Sequence, residues 1–444
     1  MNEHTTRTED SGYGTLFEEQ KSRLPGAGTW VAELRAEALD RFQSKGLPTP
    51  RLEAWKYTNL RPLARAAFAP AADSDAIAAQ AEGLVPAVAN ALKMVFVNGH
   101  FRPDLSEKID IRGLRVSSLA DLLAMGDHAL KAALAVGEDT AALTALNTAF
   151  MSDGAVIELD PETVLDRPLH LVFVGDGPAR EATALHTRNL LRLADGAGAT
   201  VIESYIGAPG ETTYWTNSVT RIDLGKGARL EHLKLQRESD AAFHVARTEA
   251  TLGEKSAYRN FALSTGGEIA RNEIHVRLEG EATRLDLNGA YLGRGRQHLD
   301  NTTVIDHLKP AGYTNEVYKG VLDDESTGVF QGRIMVHPDA QKTEAHQLNR
   351  NILISDKSHV DTKPELLIFA DDVKCSHGAT VGDLETDSLF YLQSRGIEKE
   401  KARALLVAGF IAELVDSIEA PAARDHAADL VAAWLGTTRD GADQ

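Results

Sequence analysis

The 444-residue chain holds a single cysteine, Cys375, and it has no excess of positive charge. One cysteine excludes an intramolecular disulfide framework, and it excludes a four-cysteine metal site supplied by this chain alone. The 47 lysines and arginines stand against 65 aspartates and glutamates, which gives a net charge of −18. Such a charge opposes non-specific binding to phosphate backbones and anionic lipid. We therefore expect neither nucleic acid nor a membrane among the partners.

Long apolar runs and secretion signals are also missing from the sequence. The longest runs, such as residues 404–412, fall far short of the roughly 20 residues that a membrane-spanning helix needs. The first residues have neither the basic segment nor the apolar segment of a signal peptide, and a lone cysteine suits a reducing compartment. These features predict a cytoplasmic protein.

The common catalytic motifs are absent as well. The sequence contains no G-x-x-x-x-G-K-[ST] phosphate loop and no G-x-G-x-x-G that follows a strand. It also contains neither the H-E-x-x-H zinc motif nor the G-x-S-x-G turn of serine hydrolases. We therefore expect a chain that hydrolyses no ATP of its own.

A turn pattern recurs through the middle of the chain. From residue 193 to roughly residue 355 the sequence consists of short alternating runs broken by Gly, Asp and Asn, with almost no helical periodicity. Leu193, Leu224, Leu252 and Leu278, which are 31, 28 and 26 residues apart, each precede a polar turn, a small residue and a strand-like run. Such drifting repeats predict a β-solenoid whose coils stack their apolar faces. An ordinary β-sandwich with evenly spaced turns is the alternative.

The two ends of the chain differ from this middle. Residues 30–42 and 398–418 carry apolar side chains near helical spacing, and the first pattern stops at Gly46 and Pro48. The sequence therefore predicts three parts: a helical and mixed domain over 1–150, the solenoid core over 151–388, and a helical domain over 389–444.

The segment 371–382 is the strongest candidate for chemistry. Cys375 lies two residues before His377, and residues i and i+2 of a strand point to the same face, so a strand here would present a thiolate beside an imidazole. Both groups bind metals. From chemistry alone, a lone Cys-x-His is more often a small buried cysteine and a hydrogen-bonded histidine. Any metal held here has to be shared with a partner or bound transiently, because the chain has no other cysteine.

Four separated segments, 46–58, 96–101, 146–154 and 332–410, resemble the SufB/SufD family of the SUF iron–sulfur cluster assembly system. The last segment is the most specific, because it includes the Lys-Cys-Ser-His-Gly-Ala-Thr run around Cys375. Within the family the chain is more similar to the SufD branch. SufB resembles it in fold but carries additional cysteines, including a sulfur-accepting one near the position of residues 347–350, where this chain has none.

This resemblance implies a mainly β fold, with a right-handed parallel β-helix core and helical N-terminal and C-terminal domains. It implies a non-catalytic scaffold subunit in a complex of one SufB, one SufD and two SufC chains, which pairs with SufB through the β-helix. It also implies that Cys375 and His377 contribute to a transient iron–sulfur cluster at the SufB interface. His377 is the stronger of the two, because an imidazole can bind iron while SufB supplies thiolate. We expect no cofactor to be bound stably by the isolated chain, and homodimerisation of that chain stays open.

The resemblance further implies that the C-terminal helices dock on the SufC ATPase. In the predicted helix 398–418 we expect an apolar stripe of Leu406, Phe410 and Leu414, with Arg403 and Glu413 on its exposed side, to form the docking surface. Packing against the core alone is the other explanation of that stripe.

Two other functions stay open at this stage. The chain can be a purely structural partner that stabilises SufB and recruits SufC without binding metal. A β-helix enzyme that acts on polysaccharide is a weaker alternative, since it needs carboxylates clustered on one face of the solenoid, and the acidic residues here are dispersed.

Overall fold

The computed structural model describes residues 12–66, 68–71, 79, 81–175, 182–207 and 212–436. The α-helices in these residues are α1 Tyr13–Gln20, α2 Val31–Lys45, α3 Arg61–Arg65, α4 Leu119–Met125, α5 Lys131–Leu134, α6 Ala142–Phe150, α7 Thr386–Ser394, α8 Lys399–Val415 and α9 Pro421–Trp434. Single 3-10 turns occur at Glu53–Trp55 and His128–Leu130.

The strands are β1 Phe68–Pro70, β2 Leu92–Val97, β3 His100–Phe101, β4 Leu114–Ser118, β5 Ala155–Leu159, β6 Leu169–Gly175, β7 Ala182–Leu193, β8 Gly198–Gly207, β9 Tyr214–Leu224, β10 Arg229–Arg237, β11 Phe243–Leu252, β12 Ala257–Ser264, β13 Ile269–Leu278, β14 Arg284–Gly293, β15 His298–His307, β16 Tyr313–Leu322, β17 Thr327–Val336, β18 Glu344–Leu353, β19 His359–Ile368 and β20 Lys374–Gly382.

Successive strands from β5 to β20 alternate between two sheets. The first sheet has the order β19-β17-β15-β13-β11-β9-β7-β5-β4, and the second has the order β20-β18-β16-β14-β12-β10-β8-β6-β2-β3. The pairs between strands of successive coils are parallel, whereas β2–β3 and β4–β5 are antiparallel. Two consecutive strands therefore form one coil, and each coil stacks on the next one. The predicted β-solenoid is confirmed, and the β-sandwich alternative is wrong.

The recurring leucine ends four successive strands of the first sheet. Leu193, Leu224, Leu252 and Leu278 are the last residues of β7, β9, β11 and β13, they share one register position, and all four are buried. In the fourth repeat Ala282 is exposed at a left-handed φ of 53°, because the turn before β14 is one residue longer than in the other three repeats. The spacing between successive leucines is therefore the number of residues in one coil of the solenoid.

Apolar side chains from both sheets fill the interior of the solenoid. Phe96, Phe173 and Tyr205 stack on the successive strands β2, β6 and β8, with ring centroids 5.0 and 4.8 Å apart. Burial of each large apolar side chain contributes about 1.5–3 kcal/mol, so such ladders hold neighbouring coils together.

The N-terminal segment covers the outer face of the first sheet. Helix α2 lies where the 30–42 pattern predicts a helix, and it packs on α6 through a cluster that includes Phe42, Phe150, Trp215 and Phe243. The segment also gives strands to the solenoid, because β2 pairs with β6 and β4 pairs with β5. Both sheets thus include strands from before residue 150, and the domain boundaries stay predictions.

A strap formed by residues 46–59 runs along the outer face of the first sheet. The Trp55 ring lies 3.9 Å from the guanidinium carbon of Arg271 on β13, and the Ala54 carbonyl accepts a hydrogen bond of 2.8 Å from the same guanidinium. Further along, Glu53 pairs with Lys363 on β19. The strap therefore connects a middle coil to the last one.

The C-terminal helices cover the outer face of the second sheet. Val407, Ile411, Leu414 and Val415 of α8 are buried in a cluster with apolar residues of β8 to β16. The last strand ends at Gly382 and α7 begins at Thr386, so the helical region starts before the predicted boundary at residue 388. Because α8 and α9 lie over the sheet, only part of their surface can face a partner.

Candidate functional site

The solenoid ends in an open coil made of β19 and β20. Strand β19 pairs with β17 and β20 pairs with β18, and no other described strand pairs with the opposite edge of either. Ile368 and Val381, whose register partners on the preceding coil lie inside the solenoid, are 42% and 49% exposed. Phe369, just after β19, is exposed as well. Unpaired edges and exposed apolar side chains therefore occur on the same coil.

Cys375 and His377 lie on this last coil, in β20. Their register partners on β18 are Ala345 and Gln347, which are buried in the interior. Both side chains consequently project to the inner side of the final coil, as the i, i+2 spacing in a strand requires. The predicted strand geometry of the pair is thus found, and the exposure follows from the position of β20 at the end of the solenoid.

The two side chains differ in their surroundings. Cys375 is half-buried and packs against the apolar core of the solenoid, whereas His377 is exposed. Burial raises the pKa of the Cys375 thiol, because it disfavours the charged thiolate. A metal that binds this sulfur has to displace its proton. The imidazole is therefore the more accessible of the two candidate ligands.

The described residues by themselves offer too few clustered ligands for a stable metal site. Among the described residues no group of three or more His, Cys, Asp and Glu side chains is placed to hold a metal ion. An iron–sulfur cluster needs about four protein ligands. The geometry at the last coil thus allows at most a partial ligand set, which another chain would have to complete.

Helix α8 contains the residues predicted to hold an ATPase. Leu414 is buried against the second sheet, and Phe410 is half-buried beside Lys319. The Glu413 carboxylate accepts a hydrogen bond of 2.6 Å from Nζ of Lys319, whose side chain is only 2% exposed. Leu414 and Glu413 thus attach the helix to the solenoid.

The remaining predicted docking residues are more accessible, and other apolar side chains join them. Arg403 and Leu406 are half-buried, and the most exposed apolar side chains of this region are Phe390 and Tyr391 of α7 and Leu405 of α8. The helical spacing of residues 406, 410 and 414 did not indicate these three exposed side chains. Periodicity identifies an apolar face of a helix, but it does not show what covers that face.

None of the described helices is long and apolar enough to cross a membrane.

Comparison with known proteins matches two family descriptions to consecutive parts of the chain. The "SufBD protein N-terminal region" matches residues 7–171, and the "SUF system FeS cluster assembly, SufBD core domain" matches residues 173–410. An iron–sulfur cluster assembly SufBD family protein of Synechocystis is 36% identical over 396 residues, which cover 86% of each chain.

Two relatives have the name iron–sulfur cluster assembly protein SufD. The one from Escherichia coli is 31% identical over 392 residues, and the one from Bacillus subtilis is 27% identical over 412 residues. Each alignment covers 88% of this chain and 90% of the relative. The chain belongs to the SufBD family of the SUF iron–sulfur cluster assembly system.

Proposed function

We propose that this chain is a non-catalytic scaffold subunit, and that an iron–sulfur cluster forms where its last coil meets a cysteine-rich SufB-like paralogue. One observation carries the proposal: Cys375 and His377 lie on the inner side of an open edge strand, next to exposed apolar residues of the same coil. An edge of this kind accepts strands from another chain. A paralogue with the same fold can continue both sheets and bring its thiolates to the imidazole.

In this arrangement His377 binds iron and the partner supplies sulfur ligands. The raised pKa of Cys375 makes it a poor ligand in the free chain, and it binds metal only when the metal displaces the thiol proton. The cluster is cargo of the complex, which fits the partial ligand set that the described part of the chain offers.

The test is to replace His377 by Ala in a reconstituted complex and to measure cluster absorbance together with complex yield. Since the His377 side chain is exposed, its loss removes a ligand with little buried area, and we expect absorbance to fall while the yield stays unchanged. His359→Ala is the matched control, because His359 is also exposed and lies on the other strand of the same coil.

Cys375→Ser separates the two ligands, since a hydroxyl has nearly the volume of a thiol but binds soft metals poorly. Normal absorbance with His377→Ala would contradict the ligand role. The chain would then be a structural partner that stabilises the paralogue and recruits the ATPase without binding metal.

The SufC-like ABC ATPase is proposed to dock on α7 and the exposed side of α8. Phe390, Tyr391 and Leu405 give this surface large exposed apolar side chains, which are typical of interaction sites, and Arg403 lies on the same helix as Leu405. Arg403→Glu and Leu405→Ser should lower co-purification of the ATPase without changing thermal stability. If both variants retain the ATPase at the level of the wild type, the docking surface lies elsewhere.

A second copy of the chain is the competing occupant of the open coil. The isolated chain can bury Ile368 and Val381 by pairing with itself, and the SufB-like paralogue would then displace that copy. Replacement of Val381 by Lys should weaken both assemblies, because the charge would enter an apolar contact. Sedimentation of the chain with and without the paralogue distinguishes the two.

A further inference from the structure

His377 is the last residue of a column that runs along the inside of the second sheet. Glu316 on β16 is in register with Gln347 on β18, and Gln347 is in register with His377 on β20. Neighbouring strands lie about 4.8 Å apart, so side chains at one register position are within reach of each other. The exposed imidazole therefore has two buried polar side chains behind it.

The amide of Gln347 is fixed on one side only. Its Nε2 donates a hydrogen bond of 2.7 Å to Oε2 of Glu316, while its Oε1 is buried without a hydrogen-bond partner. Gln347 is 2% exposed and Glu316 is fully buried. Buried polar atoms are nearly always paired, so this open acceptor is available to a donor on the neighbouring strand β20.

The fold leaves space for this amide at Gly332 on β17, in the facing sheet. A Cβ atom at this position would lie 2.1 Å from Nε2 of Gln347 and 2.8 Å from the Phe330 ring. Any other residue at 332 would therefore displace the Gln347 side chain. The position of the amide thus depends on a glycine in the other sheet as well as on its hydrogen bond to Glu316.

We propose that Gln347 is a positioning residue for His377, in which Oε1 of Gln347 accepts a hydrogen bond from one imidazole N–H and leaves the other ring nitrogen to bind iron. The inference rests on the proposed role of His377 as a ligand. Histidines that bind metals generally donate their second N–H to a carbonyl or carboxylate oxygen, which fixes the tautomer and the ring orientation. Glu316 accepts from Nε2 of this amide, which leaves Oε1 as the atom that is open to the imidazole N–H.

The experiment measures the affinity of the reconstituted complex for ferrous iron alone, under anaerobic conditions, for a set of variants. Gln347→Leu removes the acceptor at similar volume and should weaken iron binding by about 10–100-fold, the usual effect of losing such a partner. Gln347→Glu keeps an acceptor oxygen in place and should restore most of the affinity. Burial raises the pKa of the adjacent Glu316 to about 7, so that carboxyl can hold a proton shared with the new one.

Asn349→Leu is the matched control for loss of a buried amide. Asn349 lies two residues further along the same strand and face, and it donates to the Tyr291 hydroxyl and the Tyr318 carbonyl instead. We expect this variant to lose stability but to bind iron like the wild type. Nitrogen-15 spectra of the imidazole give a second readout, since one tautomer should dominate in the wild type and not in Gln347→Leu.

The outcomes separate this inference from the proposed function. If His377→Ala binds iron like the wild type, the proposed function fails, and the inference fails with it. If His377→Ala loses iron while Gln347→Leu retains it, or if Gln347→Glu is as impaired as Gln347→Leu, only the positioning role is overturned. If Gln347→Leu does not fold, Gly332→Ala tests the same point, because it displaces the amide without removing it. Unchanged iron affinity in a folded Gly332→Ala complex would overturn the positioning role.

Discussion

The contact between Lys319 and Glu413 predicts how firmly helix α8 is held on the solenoid. Lys319 Nζ lies inside the helix–sheet interface, where it donates to the Phe410 carbonyl at 2.8 Å and to the Glu413 carboxylate at 2.6 Å. Glu413→Ala removes the only negative charge among these partners and leaves a buried ammonium with a carbonyl and the Phe410 ring. The variant should therefore loosen α8.

The size of the effect follows from the exposure of the two partners. Hydrogen bonds to charged groups contribute about 1.5–3 kcal/mol. The Glu413 side chain is 75% exposed, so solvent screens part of the attraction, and we expect a loss of about 1–2 kcal/mol. Such a loss corresponds to about 5–30-fold more frequent opening of the helix.

Hydrogen exchange of the amides in residues 399–415, measured on the full chain, detects this opening directly. Arg403→Ala on the same helix is the control, with an expected change below about 0.5 kcal/mol. Adding Lys319→Met to Glu413→Ala should restore much of the protection, because an apolar side chain no longer needs a partner in the interface. Unchanged exchange in Glu413→Ala, or a double variant as labile as the single one, would refute this account of the interface.

Two further predictions concern the strap and the interior. Trp55→Ala should lower the free energy of unfolding by about 3 kcal/mol in urea titrations, because the indole is buried on Arg271. Leu52→Ala in the same strap is the control and should have little effect, since Leu52 is exposed. Equal losses in the two variants would contradict this prediction. Burial raises the pKa of Glu316 from 4.5 to about 7, so the folded chain binds this proton more tightly than the unfolded chain. The free energy of unfolding should therefore fall by on the order of 3 kcal/mol as the pH rises from 4.5 to 7. The pH dependence of unfolding should be flatter by this amount in Glu316→Gln, and parallel curves for the two proteins would show that the carboxyl is not held neutral.

The solenoid and the shared face of Cys375 and His377 could both be predicted from the amino-acid sequence alone. The leucine repeat is visible because each coil places the same residue at the same register position, and a period of this kind survives in the sequence without knowledge of the contacts. The face shared by residues 375 and 377 likewise follows from the two-residue period of a strand. Helix α2 could be predicted for the same reason, since helical spacing is a local property.

Which of these faces are covered depends on contacts between distant parts of the chain. The apolar stripe of α8 predicts that the helix is amphipathic, but the packing on the second sheet buries Leu414 and leaves Leu405 exposed. The position of Gln347 beneath His377 depends on the stacking of β18 and β20, which are joined by a full turn of the solenoid. Local periodicity fixes the direction of a side chain relative to its own strand or helix, whereas the neighbour that it meets is set by contacts between distant parts of the chain.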